Sequence, residues 1–527
     1  MVAQMRHMKR LTAVWLAAWV AASAWGSFAV AQSKVSLIHF RGGQASYVPD
    51  AQGNRIPDFS SCGYMRSEQT IPCVPVKAVV SPTQGDAAAD IQAAIDYVSE
   101  LTPDAQGFRG AVLLKDGTYR LSAPLYIKAS GVVLRGSDRA STCLTAADAS
   151  VPVLLTVRGT DNRQYGRSYT VTDSFLPVGG DVIHLKNKAF RTGDRVEVAA
   201  GGLCWEREVL SVDASAGGVA YRLDAPLTFA CASATVRRLS WKGRLEQVGI
   251  ENLTLCAYPA SASAGISLEN MENGWVRRVV FRGLADGAVK VSQTASRLTI
   301  EDGHSMAPFE TYGPREAATF EVKGAMCLLQ RIQAENGWHD FAVDGVQGPV
   351  ALVQCWSLRP YAYSGTVGAL SSGVLLDICA VDGESLRFGR PDAADRFKGF
   401  TATNSVLWNA QGAVVSCDRP DEGMNWSFGA WGGFNGKGYW YGSNNHQSPW
   451  SLFYAQLAAR TGGGKSEEKL LIHLGGGGTS TAEDARYQNE ASKKGLILLT
   501  DRMREIALNA PLDTAFTPEM ETVWKKH

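Results

Sequence analysis

Residues 81–137 decide the fold class of this chain. They read SPTQGDAAADIQAAIDYVSELTPDAQGFRGAVLLKDGTYRLSAPLYIKASGVVLRGS. The first part predicts a short amphipathic helix with Asp86 at its N-cap. Its apolar face repeats at helical spacing and comprises Ile91, Ala94, Ile95 and Val98. Short β-rich runs follow, which Gly and Pro interrupt: 111–114, 118–121, 125–127 and 132–134. Each run is too short to bury a face alone, so the runs must stack on one another.

The same pattern returns as a repeat after residue 246. Short β-rich runs recur there roughly 20–30 residues apart, which suits coils of three short strands with variable turns. Alternation within the runs predicts inward-pointing side chains at comparable places in successive coils: Ile250, Val280, Ile300, Ile332 and Val353. Loops between the runs point outward, and loops at the same corner of neighbouring coils converge.

The composition is that of a globular, loop-rich β protein. The chain has 527 residues, of which 54 are Gly and 20% are charged, and its formal net charge is +1. This balance provides no basic excess for a nucleic-acid partner, although a local basic patch could bind an anionic glycan. We expect a monomer.

The first 31 residues have the pattern of a secretory signal peptide. A basic n-region precedes the apolar run 11–20, and Ala29-Val30-Ala31 fits a small-residue cleavage site. A membrane anchor is the alternative, but the apolar run ends early for a bilayer span. We therefore expect a secreted or periplasmic mature chain that begins near Gln32 and contains no membrane span.

The rest of the chain divides into segments of different character. Residues 32–78 are irregular and carry cysteines, and residues 79–150 hold the helix and the first coils. Residues 151–245 contain longer alternating strands and predict a small β-rich insertion, with further coils that carry long loops as the alternative. Residues 246–450 contain the repeat. Residues 451–527 are expected to be helical over much of their length, including a charged stretch at 481–510.

Ten cysteines suit an oxidising compartment. Cys62 with Cys73, and Cys204 with Cys231, are close enough in sequence to be bridged, although sequence alone leaves the connectivity open. Three further cysteines recur at coil spacing: Cys327, Cys355 and Cys379. We expect these three inside the coils as a ladder of small apolar side chains, because no spacing typical of a zinc site accompanies them.

One predicted corner of the coils is rich in side chains that could carry chemistry. Three loops converge there: 301–315, 335–340 and 359–363. Imidazole and carboxylate groups exchange protons near neutral pH, Arg binds carboxylates bidentately, and aromatic rings can stack on sugar faces. The predicted catalytic residues are His304, Glu310, Arg315, His339 and Asp340. The predicted substrate-binding residues are Tyr312, Trp338, Arg359 and Tyr361. No cofactor motif is present in the sequence, but calcium is compatible with such a groove because it needs only carboxylate and carbonyl oxygens.

The helix and stacked β-rich runs resemble the pectate-lyase superfamily. The likeness covers 79–150 and 246–450, and three segments resemble a bacterial subgroup of secreted pectate-lyase-like proteins: 335–341, 404–409 and 451–457. The resemblance implies an all-β fold, a right-handed parallel β-helix whose N-terminal helix caps the open end of the stack, and a polysaccharide substrate. The paired Asp of polygalacturonase-like hydrolases has no counterpart in the sequence. The Asp cluster and catalytic Arg motif of calcium-dependent pectate lyases are not found either. The resemblance therefore implies fold and substrate class more than reaction.

The preferred functional hypothesis is a polysaccharide lyase that cleaves a uronic-acid-containing glycan by β-elimination. Such an enzyme must neutralise the carboxylate, abstract the C5 proton and protonate the leaving oxygen. Arg315 or Arg359 would neutralise the carboxylate. His339 would act as the base, and His304 or Tyr312 would act as the acid.

Two other classes of function remain open at this stage. A glycoside hydrolase would use two carboxylates, Asp302 or Glu310 together with Asp340. A non-catalytic, adhesin-like β-helix would bind a glycan through the Trp-rich region 425–441 and would need no catalytic corner.

Overall fold

A stack of parallel β-coils forms the body of the protein. The computed structural model describes residues 31–148, 150–215, 217–257, 263–308, 317–391, 399–463 and 512–526. The predicted fold class is confirmed: a right-handed parallel β-helix with an N-terminal cap helix and a small β-rich insertion. Residues 1–30 of the predicted signal peptide and the stretch 481–510, expected to be helical, lie outside the described residues.

Each coil contributes strands to three parallel sheets, which we call sheets I, II and III. Sheet I contains Val76–Val80, Gly110–Leu114, Val132–Gly136, Leu245–Glu246, Gly249–Glu251, Met271–Arg277, Ser296–Glu301, Ser371–Asp377, Ala402–Thr403, Val406–Trp408, Trp426–Phe428 and Tyr439–Tyr441. Sheet II contains Gly117–Leu121, Thr142–Ala146, Thr254–Cys256, Val280–Arg282, His304–Met306 and Trp431–Asn435. Sheet III contains Leu125–Ile127, Val153–Arg158, Ala264–Glu269, Val289–Val291, Ala318–Val322, His339–Asp344 and Ser364–Val367. Five strands turn a corner and serve two sheets. Leu328–Glu335 and Gln347–Leu358 serve sheets I and II, and three strands serve sheets II and III: Ala380–Phe388, Gln411–Cys417 and Trp431–Asn435.

The inward side chains of sheet I form a continuous apolar ladder. Parallel register aligns Val112, Leu134, Ile250, Val276, Ile300, Leu329, Leu352, Leu376 and Leu407. All of them are buried in the main core cluster. Stacking such rows buries a continuous core that no single coil could bury alone.

Five aligned inward positions were predicted from the sequence. Ile250 and Ile300 are confirmed, and Ile332 is inward but lies in the row of Cys355, because Leu329 is the residue in register with Ile300. The other two are wrong, because Val279 rather than Val280, and Leu352 rather than Val353, belong to the core inside the coils. Val353 is buried on the opposite side of the sheet. The physical reason is a left-handed residue at the corner between sheets I and II, such as Arg278 with φ 56°. It places inward residues three apart instead of two, so alternation counted across the corner selects the wrong side.

The outer face of sheet I is covered by two other segments. The N-terminal segment and the helix Leu452–Thr461 bury their apolar side chains against it, among them Phe59 and Leu457. Buried charges continue this face, where both carboxylate oxygens of Glu251 accept from guanidinium groups at 2.6 Å, one from Arg135 and one from Arg277. These two segments and the buried charges therefore cover much of the outer face of sheet I.

The predicted cap helix spans Ala88–Glu100 and buries its predicted apolar face. Its N-cap is Ala87 rather than Asp86, but the Asp86 carboxylate still accepts a hydrogen bond from the Ala88 N–H at 3.2 Å. Short 3-10 helices are found at Tyr64–Ser67, Pro518–Glu521 and Val523–Lys526. Among the described residues, no helix has the length and hydropathy needed to cross a bilayer.

The insertion is an antiparallel sheet with its own core. Its six strands are Gln164–Thr170, Val182–Leu185, Arg195–Ala200, Leu203–Ser215, Gly218–Leu223 and Thr235–Ser240. A separate hairpin, Ile38–Arg41 with Gln44–Tyr47, lies near the N-terminus. The predicted boundary at 151 is early, because Val153–Arg158 still pairs within sheet III. Arg297 of the coils fixes the insertion to the stack: its guanidinium contacts Asp224 of the insertion at 2.7 Å and Glu272 at 2.8 Å.

The cysteines differ in part from the sequence expectation. Neither predicted pair is bonded, and Cys62 is buried whereas Cys73 is exposed. Cys355 and Cys379 stack in register inside the coils as predicted, with Ile332 as the next member of their row. Cys327 is also buried in the core, but it lies outside that row because its neighbour in register is Val350.

Candidate functional site

The outer face of sheet II carries the candidate site, where the sequence predicts that the loops 301–315, 335–340 and 359–363 converge. Because Phe281, Ala334 and their equivalents point inward, the residues on either side of them point outward in two rows. The first row contains Cys143, Thr254, Val280, His304, Gln333 and Trp356. The second row contains Thr145, Cys256, Arg282, Met306, Glu335 and Leu358. Neighbouring members of a row are about 4.8 Å apart, so residues distant in sequence act together here.

Three polar side chains at the end of these rows are linked by hydrogen bonds: His304, Glu335 and Arg359. Nε2 of His304 lies 2.8 Å from Oε1 of Glu335, and the Arg359 guanidinium donates to Oε2 of Glu335 at 3.0 Å. Gln333 also donates to Oε1 at 2.8 Å. The Glu335 side chain is only 17% exposed, whereas that of Arg359 is 59% exposed. Glu335 therefore lies beneath the surface and holds two groups that solvent, or a ligand, can reach.

The protonation state of Glu335 follows from these contacts. Burial alone would raise the pKa of its carboxyl group, but the hydrogen bonds from His304 and Gln333 and the charge of Arg359 outweigh burial. The net effect is that the pKa of Glu335 lies below its ordinary value. Glu335 therefore favours its ionised form, which accepts hydrogen bonds from the groups around it.

Two aromatic rings stack beside the linked side chains of His304, Glu335 and Arg359. The rings of Trp338 and Tyr361 are nearly parallel, with an interplanar angle of 15° and centroids 6.3 Å apart. Backbone hydrogen bonds fix their loops to one another, since the Tyr361 N–H donates to Gly337 O and the Ala362 N–H to Trp338 O, both at 2.9 Å. Tyr361 is 41% exposed. This pair of predicted substrate-binding residues is thus held as an aromatic platform at the corner.

His339 begins the sheet III strand that follows the same loop. Its Nδ1 lies 2.7 Å from the Tyr363 carbonyl oxygen, and its ring packs edge-on against the Tyr363 ring. A carbonyl oxygen only accepts, so Nδ1 carries the hydrogen and the neutral ring keeps its lone pair on Nε2. This is the tautomer that a general base requires.

Asp340 differs from its predicted role. Its carboxylate is fully buried and accepts hydrogen bonds from the hydroxyl groups of Thr319 at 2.9 Å and Ser357 at 2.7 Å. Burial raises the pKa of Asp340 to about 6 in spite of these bonds. A fully buried carboxyl group cannot contact a polysaccharide, so the expectation that Asp340 lines the groove is corrected. It supports the corner from inside.

Part of the predicted site lies outside the described residues, namely Glu310, Tyr312 and Arg315. Asp302, a hydrolase candidate, is described and buried, and its Oδ1 lies 2.6 Å from Nε of Arg331. The sequence did not single out Arg282 or Glu335 for the site. The signal was present in the register, because 282, 306 and 335 fall into one row once the coils are aligned.

Two further features bear on the ligand. Within the described ranges, no group of three or more His, Cys, Asp or Glu side chains is arranged to hold a metal ion, and calcium stays a prediction from sequence. In the Trp-rich region 425–441, Trp426 and Trp440 are buried and Trp431 is 37% exposed. Trp426 lines a cleft of about 610 Å³ between the N-terminal segment, the insertion and the coils. Most of this region therefore packs rather than faces solvent.

Comparison with known proteins finds similar solved structures but no family. No family model matches the chain, and no curated protein matches it. Open reading frame 18 of Geobacillus virus E2 is 13% identical, with a TM-score of 0.36 over 68% of this chain and 58% of that one. A mutant tailspike protein of E. coli bacteriophage HK620 in complex with a pentasaccharide is 12% identical, with a TM-score of 0.40 over 68% of this chain and 55% of that one. The A-module of Azotobacter vinelandii mannuronan C-5 epimerase AlgE4 is 13% identical, with a TM-score of 0.28 over 71% of this chain and 90% of that one. The chain thus spans less than two thirds of the first two structures, and likeness at this level carries no function.

Proposed function

We propose that the chain is a polysaccharide lyase that acts on a uronic-acid-containing glycan at the corner between sheets II and III. The observation that carries the proposal is a set of hydrogen bonds in which Glu335 links Arg359 to His304. These side chains lie beside the stacked rings of Trp338 and Tyr361. This corner combines a cation, a polarised imidazole and an aromatic platform, which are the groups that an acidic sugar needs. The resemblance to secreted pectate-lyase-like proteins supports the same substrate class.

The proposed reaction distributes three tasks over these residues. Arg359 pairs with the carboxylate of the uronate that reacts, which makes its C5 proton more acidic, and the exposed Arg282 pairs with another uronate carboxylate along the polymer. Nε2 of His339 takes that proton, the C4–O bond breaks, and a C4–C5 double bond forms. His304, which Glu335 holds in place, gives a proton to the leaving oxygen.

Arg282 is suited to the carboxylate because it is exposed and forms none of the ion pairs found within the described ranges. Its row places it one strand before Met306 and two before Glu335, about 10 Å along the sheet from the latter. One sugar unit spans roughly half that length, so two cations along one face suit a polymer with repeated carboxylates.

The hydrolase alternative fits the described residues less well. Two of its three candidate carboxylates, Asp302 and Asp340, are buried and already hydrogen-bonded or ion-paired. A hydrolase needs two carboxyl groups that both face the glycosidic bond. An adhesin-like protein would need only the aromatic platform and the cations, and it would bind without turnover.

Export through the predicted signal peptide belongs to the same proposal. Gln32, the expected first residue of the mature chain, bridges to Trp440, and its side-chain amide donates to Ser443 at 3.0 Å. Cleavage after Ala31 would leave these contacts intact. Intact mass of exported protein would give a chain that starts near Gln32, and retention of residues 1–31 would contradict this.

A panel of glycans tests the proposed reaction. Polygalacturonate, alginate and a neutral glucan are incubated with the protein, with and without added calcium or a chelator. The lyase predicts ultraviolet absorbance of an unsaturated uronate with the acidic polymers only. New reducing ends without that absorbance would indicate a hydrolase, and binding without either product would indicate an adhesin.

A further inference from the structure

Two cysteines face one another on the outer side of sheet II. They belong to neither of the pairs that sequence spacing suggests. The Sγ atoms of Cys143 and Cys256 lie 2.9 Å apart, although 113 residues separate them in the chain. Cys143 lies in register with Thr254, and Cys256 lies in register with Thr145, so the two cysteines are diagonal neighbours on adjacent strands. The residues beside them, Leu144 and Leu255, point into the core, which directs both thiols outward.

The position of this pair in the chain is specific. The strand Thr142–Ala146 belongs to the last complete coil before the insertion, and Thr254–Cys256 belongs to the first coil after it. The whole six-stranded insertion lies between them in sequence. A bond between the two sulfurs would therefore join the coils that flank the insertion and close a loop around it.

We propose that Cys143 and Cys256 form a disulfide that joins the two coils flanking the insertion. Both side chains are half-buried, so an oxidant can reach them, and their strands are already held in register by the coil stack. The disulfide bonds two sulfur atoms that are already in contact, so it adds no new contact to the folded state. It stabilises the protein because it restricts the conformations of the unfolded chain.

The chemistry needs a disulfide oxidant, such as glutathione disulfide or the disulfide of a thiol oxidoreductase. The Cys256 thiolate attacks one sulfur of the oxidant, forms a mixed disulfide and releases one thiolate. The Cys143 thiolate then attacks Sγ of Cys256, forms the internal bond and releases the second thiolate. Overall the two cysteines lose two electrons and two protons, and the oxidant disulfide gains them.

Arg282 supports the first step. It lies in register beside Cys256 on the next strand. The hydrogen bond from Cys143 lowers the pKa of the Cys256 thiol, and the charge of Arg282 lowers it further against the effect of burial. Cys256 is therefore the attacking thiolate of the pair.

The other cysteines provide internal comparisons. Cys355 and Cys379 are also neighbours in register, but they are buried inside the coils, where an oxidant cannot reach them. Cys204 is exposed on the insertion and serves as a matched control position. The proposal thus distinguishes accessible neighbours from buried neighbours.

Peptide mapping tests the bond directly on the full chain. Purified protein is equilibrated with glutathione disulfide, its free thiols are alkylated under denaturing conditions, and it is digested without reductant. We expect a cross-linked peptide that contains Cys143 and Cys256, which separates into two peptides after reduction. Recovery of both cysteines in alkylated form would overturn the proposal.

Two variants add a second readout. In the wild type and in Cys204→Ser, oxidation should raise the midpoint of thermal unfolding by roughly 3–5 °C. In Cys143→Ser this redox dependence should vanish. If Cys143→Ser fails to fold, the peptide map of the wild type still decides the question. An oxidised wild type with an unchanged midpoint and no cross-linked peptide would contradict it. The outcome is independent of whether the corner is a lyase.

Discussion

Nε2 of His304 lies 2.8 Å from Oε1 of Glu335, although 31 residues separate them in the chain. The contact exists because Met306 and Glu335 are neighbours in register, which places His304 and Glu335 on adjacent strands of one face. In a coil stack, the length of a coil sets which residues meet. The pair therefore depends on the spacing of the repeat as much as on its own chemistry.

Removing the charge of Glu335 should impair the acid of the proposed reaction. In Glu335→Gln, His304 loses the carboxylate that holds its ring in place, so we expect kcat on the acidic polymer to fall about 10²-fold. Steady-state rates of the variant and the wild type measure the effect.

The control for this variant is Glu321→Gln, which removes a carboxylate of sheet III that pairs with Lys323 at 3.0 Å. It should leave the rate unchanged. A Glu335→Gln enzyme with the wild-type kcat would contradict a role of the His304–Glu335 pair in the reaction.

Loss of the base should be more severe than loss of a positioning contact. His339→Ala should lower kcat at least about 10²-fold with folding intact, since it removes the Nε2 lone pair that takes the C5 proton. His184→Ala, which removes an exposed imidazole of the insertion paired with Asp173, is the matched control and should have no effect. Circular dichroism checks folding, and turnover of His339→Ala at the wild-type rate would contradict the assignment.

Arg282 and Arg359 should contribute to the binding of a negatively charged substrate. Arg282→Ala and Arg359→Ala should each raise KM for a polyuronate severalfold, and salt should weaken the wild type more than the double variant. Arg222→Ala removes a 56% exposed Arg of the insertion and should change neither quantity. Equal KM values for all three variants would exclude a role of this face in carboxylate binding.

Much of this architecture follows from sequence, and particular residues show why the remainder does not. The cap helix and the inward row at Ile250 and Ile300 were predictable, because period and spacing carry them. Val280 was placed wrongly since a left-handed Arg278 changes the count at the corner, and a propensity pattern does not reveal such a residue. The placement of Asp340 was wrong for another reason, because two hydroxyl groups from other coils hold it inside.

The buried Asp340 should give the folding stability a distinct pH dependence. Burial raises its pKa to about 6, whereas an unfolded Asp titrates near 3.9. The folded state therefore holds a proton that the unfolded state releases, and this contribution is complete below about pH 4 and is lost as pH rises through about 6. A shift of about two units corresponds to about 3 kcal/mol.

Asp340→Asn removes the carboxyl group whose ionisation destabilises the folded wild type as the pH rises. The free energy of unfolding of the variant, relative to that of the wild type, should therefore increase between pH 4 and pH 7. Urea unfolding midpoints at the two pH values measure the difference. Asp96→Asn, an exposed carboxylate on the cap helix, should track the wild type. Parallel pH profiles for the wild type and Asp340→Asn would contradict the shifted pKa.

The junction of the insertion should depend on Arg297. Its guanidinium is buried between Asp224 and Glu272. Arg297→Leu removes the ion pair of the buried Asp224 carboxylate, whereas Glu272 keeps Arg195 and Arg244, and the substitution should cost about 3–5 kcal/mol. The insertion should then become sensitive to proteolysis before the coils. Arg238→Ala breaks an exposed pair with Asp194 and should cost no more than about 1 kcal/mol. Equal protease resistance of both variants would argue against a fixed junction.

The insertion also sets the order in which the chain can be completed during synthesis. The strand Val132–Gly136 exposes its edge until Gly249–Glu251 pairs with it, and the six-stranded insertion is made in between. At ribosomal rates the intervening hundred or so residues take roughly 5–20 s to emerge. During that interval the edge of Val132–Gly136 is unpaired in the nascent chain, and another strand could pair with it. An insertion with its own core can fold in that time without competing for the waiting edge, so the timing of translation becomes part of how this stack avoids wrong partners.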